Sequence, residues 1–445
     1  MVVTLDHDSH KNKRNYQINY QDAIKILGPN FNITENDQLP VVNTSSKFAI
    51  IGAGLGGIAT SLKILKTFNS QDFVIFDKYD NFGGTWLVNT YPGAASDIPA
   101  LWYSFSEELN SNWSEAQPPQ YEIEEYILKV VEKYDLKTHA VFNTIVTQGK
   151  WLEKNQTWEI TTTNLKTGQK TIHTSQFVIN CIGGLAQVNH FEAPGLQNFQ
   201  GDYMHTAIWN DDVDLKDKNV IVVGNGCSAT QVIPKLVRDY DVKSLTQIVR
   251  SKHYITPPLP SNLQKLYQLL SSTWLGLYLV RLLVIFNFEL KWPLFKGDGI
   301  ISRYVRNKTH QESLNYMNKE CPEKYKSMLI PNFKIGCKRL IIDHDYLQTL
   351  HDPKMDVKPS TIAKVKSKSV VLQDGTELPA DVIIACTGYN VEKTLFTINF
   401  IGQNGINVKD FWSKEGISAY NTILLKHCPN LFLIGGVCIF NSFKE

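Results

Sequence analysis

Two glycine-rich turns, each following an apolar run and preceding a helix-like periodicity, constrain this chain more than any other feature. The first is Gly52-Ala53-Gly54-Leu55-Gly56-Gly57 and the second is Gly224-Asn225-Gly226-Cys227-Ser228-Ala229. Lys47-Phe48-Ala49-Ile50-Ile51 leads into the first turn, and apolar residues then recur at Ile58, Leu62 and Leu65, as expected of a helix packed on a sheet. Phe73-Val74-Ile75-Phe76 completes a strand–turn–helix–strand unit. In such a unit Gly52 permits the tight turn, Gly54 lets a pyrophosphate approach the backbone, and Gly57 lets the helix lie close to the strand. The phosphate is drawn to the positive helix end, and Gly56 shares that turn. Asp77 follows at the spacing of the carboxylate that takes the ribose hydroxyls.

The second turn repeats the arrangement. Asn219–Val223 reads as a strand, and a helix runs on through Ala229, Val232 and Leu236, so Gly224, Gly226, Ser228 and Ala229 are candidate nucleotide contacts. The next strand, Leu245–Val249, ends in Arg250-Ser251 where an NADH site would carry an acid. An acid there would repel a 2′-phosphate, whereas arginine can bind it with two parallel hydrogen bonds. This favours NADPH. Two dinucleotide sites imply two redox cofactors on an α/β scaffold of two Rossmann-like domains.

Composition narrows the alternatives. At 445 residues the chain holds two or three domains, and a net charge of +2 gives no support to nucleic-acid binding. Lys11-Asn12-Lys13-Arg14 reads as a solvated tail. The seven cysteines form no CxxC pair and no Cys/His zinc spacing, so neither a dithiol centre nor a metal site is expected. Reduced cysteines and a polar N-terminus fit a cytoplasmic protein. Residues 1–45 read as a flexible arm, with one short helical patch over Tyr20–Leu27.

Between 253 and 335 the pattern becomes that of a helical insert, centred on the apolar run 274–288. That run is short for a bilayer span and is interrupted by Arg281. A buried or interfacial helix is the favoured reading, and a membrane contact through 274–288 the less favoured one. Leu340–Ile342 and Val370–Leu372 read as strands of the second unit. Asp381–Ala385 and Gly388 read as a strand and turn that return the chain to the first. The expected division is 46–185 with 377–445, 186–252 with 336–376, and the insert 253–335.

Further motifs occur in a fixed order: Gly83-Gly84-Thr85-Trp86, Tyr91-Pro92-Gly93, Asp97, Tyr103, then FxGxxxHTxxW over Phe199–Trp209, then Ile335-Gly336-Cys337-Lys338-Arg339. With the two glycine turns, this set resembles the class A Baeyer–Villiger flavoprotein monooxygenases, a family related to the flavin-containing monooxygenases. The resemblance runs from about residue 47 to about residue 435. It implies FAD in the first unit, NADPH in the second, and insertion of one oxygen atom of O2 beside a ketone carbonyl through a peroxyflavin. Gly83, Gly84, Thr85, Trp86 and Tyr103 would lie beside the flavin. Arg339, held by Asp97, would stabilise the anionic peroxide and the oxyanion formed on the ketone. Lys338 would join Arg250 on the NADPH ribose or phosphate. Gly201 and His205 would couple domain movements without transferring protons, and Trp209 would be core.

The sequence departs from the family pattern in three places. Asn210 replaces the usual proline or aspartate, and Asp77 replaces the commoner glutamate with a shorter reach. Cys428–Gly436 matches the family's late strand, but Val437–Ser442 replaces the expected Gly-Pro continuation and the sequence ends at Glu445. The C-terminus therefore reads as truncated, and an open flavin pocket would release peroxide unproductively. Two alternatives stay open: an N- or S-oxygenating flavin monooxygenase, and a non-catalytic flavoprotein. The substrate and oligomeric state are not specified.

Overall fold

The computed structural model describes residues 20–295 and 297–435. The basic cluster 11–14, the first part of the expected arm and the altered Val437–Ser442 segment lie outside the described residues. The chain divides into two compact units. One takes the residues up to Val88, Ile123–Val188 and those from Tyr389 onward; the other takes Asn89–Glu122 and Asn189–Gly388.

The first unit is built on an eight-stranded sheet. Its parallel centre is Lys170–Asn180, Val42–Ile51, Phe73–Phe76 and Ala140–Val141, in that order. Thr144–Leu152 and Thr157–Asn164 extend it antiparallel on one side, and Leu431–Leu433 pairs parallel with Lys170–Asn180. Ala49, Ile51, Trp158, Phe400 and Trp412 meet in one buried cluster. Phe48, Ala49, Ile50 and Ile51 are buried without alternation, as expected of a strand covered on both faces. The leading strand starts at Val42, not Lys47, because Val42–Ser46 already pairs in register with Thr171–Ser175. Residues 20–45 of the expected arm are likewise held. The helix Tyr20–Leu27 buries Ala23, Ile26 and Leu27, and Glu35 pairs with Lys170.

The second unit has a five-stranded, wholly parallel sheet in the order Met355–Lys358, Ser244–Ile248, Asn219–Val223, Val382–Ala385, Asp202–His205. A three-stranded antiparallel sheet, Ile362–Val365, Ser369–Leu372 and Glu377–Pro379, packs its apolar side on Ile221, Ile248 and Ile383. Three expectations change here. The Val382–Ala385 strand lies inside the second sheet, between Asn219–Val223 and Asp202–His205, and the chain leaves for the first unit only after Gly388. Ser369–Leu372 and Ile341–Ile342 belong to this unit but to small separate sheets, the latter paired with Ile255–Thr256. Residues 89–122, expected with the first unit, pack in the second. The Tyr91 hydroxyl donates to Gln231 Oε1 at 2.7 Å, and Gln231 Nε2 donates to the Ala95 carbonyl at 3.0 Å.

The described residues of the insert form four α-helices, Ser261–Ser271, Trp274–Leu290, Ile300–Glu320 and Glu323–Leu329, and the short 3-10 turn Trp292–Leu294. Trp274–Leu290 is not a buried helix, since only Gly276, Leu277 and Val280 are enclosed. No helix among the described residues is long and apolar enough to cross a membrane.

Candidate functional site

In the first unit the chain leaves its central strand through Gly52, at φ +109°, and enters the helix Leu55–Phe68 with Gly54 as N-cap. A Cβ on Gly52 would stand 2.5 Å from the Cys181 carbonyl oxygen, and one on Gly57 would collide with the Gly52 carbonyl. Both glycines are therefore required by close backbone approach. Gly56 lies on the helix's first turn, where a Cβ would come 3.2 Å from Ile434. No side chain caps the helix, so its first N–H groups are left for a ligand.

The Gly83-Gly84 turn comes up against this one. The Gly83 N–H donates to the Ala53 carbonyl at 3.1 Å, and a Cβ on Gly84, at φ +58°, would sit 2.9 Å from the Gly54 Cα. Thr85 and Trp86 open the short helix Thr85–Val88, with Trp86 buried. Asp77 is buried, and its Oδ2 accepts from the Ala53 N–H at 2.6 Å while Oδ1 accepts from Tyr79 N–H at 2.8 Å. Burial raises its carboxyl against these two bonds. Asp77 thus braces the glycine turn, and each oxygen retains a second lone pair for a ribose hydroxyl.

Two neighbours were not legible in the sequence. The Lys78 Nζ donates to the Ala186 carbonyl at 3.2 Å, and burial lowers its ammonium to about 8. Glu124, on the helix Gln120–Lys133, places its carboxylate where a side chain on Gly83 would stand. Both its oxygens lack a partner, and burial pushes the acid up to about 8.

The second unit repeats the turn. Gly224, at φ +127°, passes so close to the Cys386 carbonyl that a Cβ would collide with it. Gly226 caps the helix Cys227–Asp239 without a side-chain bond, and the space beside its Cα is open. Ser228 is half-buried and Ala229 buried in its first turn. Behind the turn lies a polar network that periodicity could not reveal. Gln247 Nε2 donates to the Gly224 carbonyl at 2.8 Å, and the Tyr346 hydroxyl donates to Gln247 Oε1 at 2.6 Å. Asn225 Nδ2 reaches the Ser251 carbonyl at 3.3 Å, tying the turn to the end of the next strand, where Arg250 stands exposed.

Gly93, at φ +83°, lies against the Gln231 carbonyl of the same helix, and this brings Asp97 to the helix start. Arg339 Nη2 donates to Asp97 Oδ1 at 2.8 Å and lies 2.7 Å from Oδ2. The Cys227 thiol donates to Asp97 Oδ2 at 3.6 Å. Burial, with Asp97 beside it, pushes that thiol up to about 11, and Arg339 works in the opposite direction. The Asp97 side chain is 19 % exposed and that of Arg339 55 %. Lys338 is turned elsewhere, with Nζ 5.2 Å above the Phe333 ring. Burial and the Lys338 charge bring His253 down to about 4. Tyr103 sits in the turn that Pro99 opens, its N–H donating to the Pro99 carbonyl at 3.0 Å.

His205 ends the edge strand of this sheet, buried. Its Nδ1 accepts from the Ala207 N–H at 3.0 Å. Burial and His190 lower it to about 3, against a hydrogen bond to the Gly388 backbone. A Cβ on Gly201 would collide with the Asp381 carbonyl, and Trp209 is core.

The residues fit the two nucleotides the motifs call for. Each uncapped helix starts at a glycine turn that a Cβ would fill or block, and a carboxylate or an arginine stands at the end of the second strand. The family profile of flavin-binding monooxygenase-like proteins matches residues 45–247. A Baeyer–Villiger monooxygenase of Pseudomonas aeruginosa is 31 % identical over 405 residues, 89 % of this chain and 73 % of that protein. A cyclohexanone 1,2-monooxygenase of an Acinetobacter species is 28 % identical, over 87 % and 77 % of the two chains. The solved cyclohexanone monooxygenase of Rhodococcus sp. Phi1 bound to NADP+ superposes with a TM-score of 0.72 at 26 % identity, covering 88 % of this chain and 80 % of that one. The chain belongs to the Baeyer–Villiger-type flavin-binding monooxygenases, enzymes that use FAD and NADPH.

Proposed function

We propose that this FAD- and NADPH-dependent monooxygenase acts on a small ketone, placing one atom of O2 beside the carbonyl to give an ester or lactone. The Asp97–Arg339 pair at the start of the helix Cys227–Asp239 carries the reading. When bound, FAD would take the electrons of NADPH and activate O2 for the transfer. An arginine guanidinium is a permanent cation, so it can stabilise a developing anion without protonating it. A fixed cation aimed at charge that appears only during reaction contributes several kcal/mol to the rate. Asp97 engages Nη2 and tethers the guanidinium, and the Gly93–Gln231 approach brings Asp97 to the helix start. Arg250 and the uncapped helix start would hold the NADPH phosphates. The name of the cyclohexanone-oxidising relative supports a ketone over an amine or thioether.

The test is anaerobic reduction with NADPH, then oxygen together with cyclohexanone, a tertiary amine or a thioether. Lactone formed in step with NADPH consumption is the expected outcome. Oxygenation of the amine or thioether alone would replace the ketone reading, and a yellow protein inert to NADPH would remove catalysis altogether.

A further inference from the structure

The insert carries a second feature that neither nucleotide site uses. In the helix Trp274–Leu290 the apolar side chains face outward: Leu275, Tyr278, Leu279, Leu282, Leu283, Phe286 and Leu290 are all exposed, at the three-to-four-residue spacing of a single helix face. Leu283 is 63 % exposed and Trp274, at the helix start, 76 %. The one charge in the middle of the run turns the other way. Arg281 Nη1 donates to the Leu101 carbonyl at 2.9 Å and Nη2 to Ser106 Oγ at 2.9 Å, while the Trp102 ring packs tilted against Phe288 at 4.2 Å. The helix thus docks through Leu277, Val280 and the bonds of Arg281, and presents a second apolar face to solvent.

The neighbouring elements continue the pattern. Leu263, Leu266 and Leu269 are exposed on Ser261–Ser271, and Trp292 and Phe295 on the turn after the helix. Ile300, 82 % exposed, Ile301 and Tyr304 follow at the start of the next helix. Charge in this segment is one-sided. Residues 261–308 contain seven basic side chains (Lys265, Arg281, Lys291, Lys296, Arg303, Arg306 and Lys308) against Glu289 and Asp298. Lys291 and Arg303 are exposed, and Asp298 is already paired with Arg306 at 2.9 Å.

An outward apolar face, tryptophan and tyrosine near its ends and an excess of cations match one partner: a lipid surface with anionic headgroups. At 17 residues the helix is too short to cross a bilayer and long enough to lie along its surface. We propose that the segment Ser261–Tyr304 seats the enzyme on an anionic bilayer, with Leu282, Leu283 and Phe286 in the acyl boundary and Lys291 and Arg303 on the headgroups. A site so placed would draw its ketone from the membrane, which favours lipophilic substrates.

Flotation of the purified, FAD-loaded full chain on vesicles decides the matter. Vesicles with 30 % phosphatidylserine should carry the protein upward at low salt, and pure phosphatidylcholine or 0.5 M salt should weaken binding. Lys291→Glu with Arg303→Glu should lower the partition roughly tenfold or more. Leu282→Glu with Leu283→Glu should abolish it while the flavin spectrum stays unchanged. Should that pair unfold, brominated lipid gives the second reading on unaltered protein: it should quench tryptophan emission, and Trp274→Phe should remove part of that quenching. No flotation and no quenching would overturn the proposal. So would a dimer by light scattering that the Leu282→Glu and Leu283→Glu pair dissolves in the absence of any vesicle binding, because the face would then belong to a second copy.

Discussion

Arg339 and Asp97 lie 242 positions apart, yet one guanidinium nitrogen reaches both carboxylate oxygens. Replacing Arg339 with alanine removes the fixed cation, and we expect kcat for oxygenation to fall by roughly 10²–10³-fold with FAD retained. Unchanged ester formation would refute the assignment. Arg250→Ala should raise KM for NADPH by about tenfold, the scale of one charged hydrogen bond, and leave that for NADH nearly unchanged. Equal effects on the two would argue against a phosphate contact.

The cysteines offer a check on the electrostatics. With its thiol held up to about 11, Cys227 should resist iodoacetamide at pH 8, whereas exposed Cys337 should be labelled. Peptide mapping of the alkylated protein distinguishes them.

Buried ionisable groups set opposing pH dependences. His205 is lowered to about 3, and His173 and His253 to about 4, from an ordinary 6.5. Below pH 6.5 the unfolded chain takes up protons that the folded rings refuse. Stability is therefore lost as pH falls from 6.5 toward 4, by up to about 1.4 kcal/mol per pH unit for each ring. Glu124 behaves the other way. Its folded acid titrates at about 8 against an ordinary 4.5, so its contribution is intact below pH 4.5 and lost as pH rises toward 8. Glu124→Gln should raise Tm at pH 8 and leave it nearly unchanged at pH 4, as scanning calorimetry across that range would show.

At the scale of elements, the two nucleotide units are strand–glycine–helix constructions whose tolerances are set by backbone contact. Gly84→Ala adds a Cβ 2.9 Å from the Gly54 Cα at a left-handed φ. We expect a loss of roughly 1–2 kcal/mol in stability and of bound FAD, the latter read from flavin absorbance after gel filtration. The Gln247–Tyr346 bond supports the second turn from behind. Tyr346→Phe strips Gln247 Oε1 of a buried donor and should cost about 1–3 kcal/mol while weakening NADPH binding. Pro234 lies within the helix Cys227–Asp239 without ending it.

Over the whole molecule, neither unit is a continuous stretch of chain. Residues 89–122 leave the first unit to join the second, and the first resumes at Ile123 and again after Gly388. A chain stopped at Gly388 keeps all five strands of the second sheet but loses Asn399–Ile401 and Leu431–Leu433 from the first. It should release FAD and still bind NADPH by fluorescence titration. Retained flavin would contradict this.

The amino-acid order alone determined the two glycine turns and the strands and helices beside them. Phe73–Phe76 and Asn219–Val223 form strands as read, and the helices begin at the glycine turns. Such units are written in local periodicity and in glycines whose neighbours are a few residues away. What required the tertiary structure was every choice made by distant contacts. The 89–122 loop chose its unit through Tyr91 and Gly93 on Gln231, and Val382–Ala385 through two strands far back in the chain. The buried carboxylate of Glu124 looks in sequence like one more charge on an amphipathic helix. Arg281 looks like a break in an apolar run, and only its bonds to Leu101 and Ser106 reveal that the run faces out. Burial is a property of the packed chain, and spacing along one helix cannot tell which of two faces the rest of the molecule will cover.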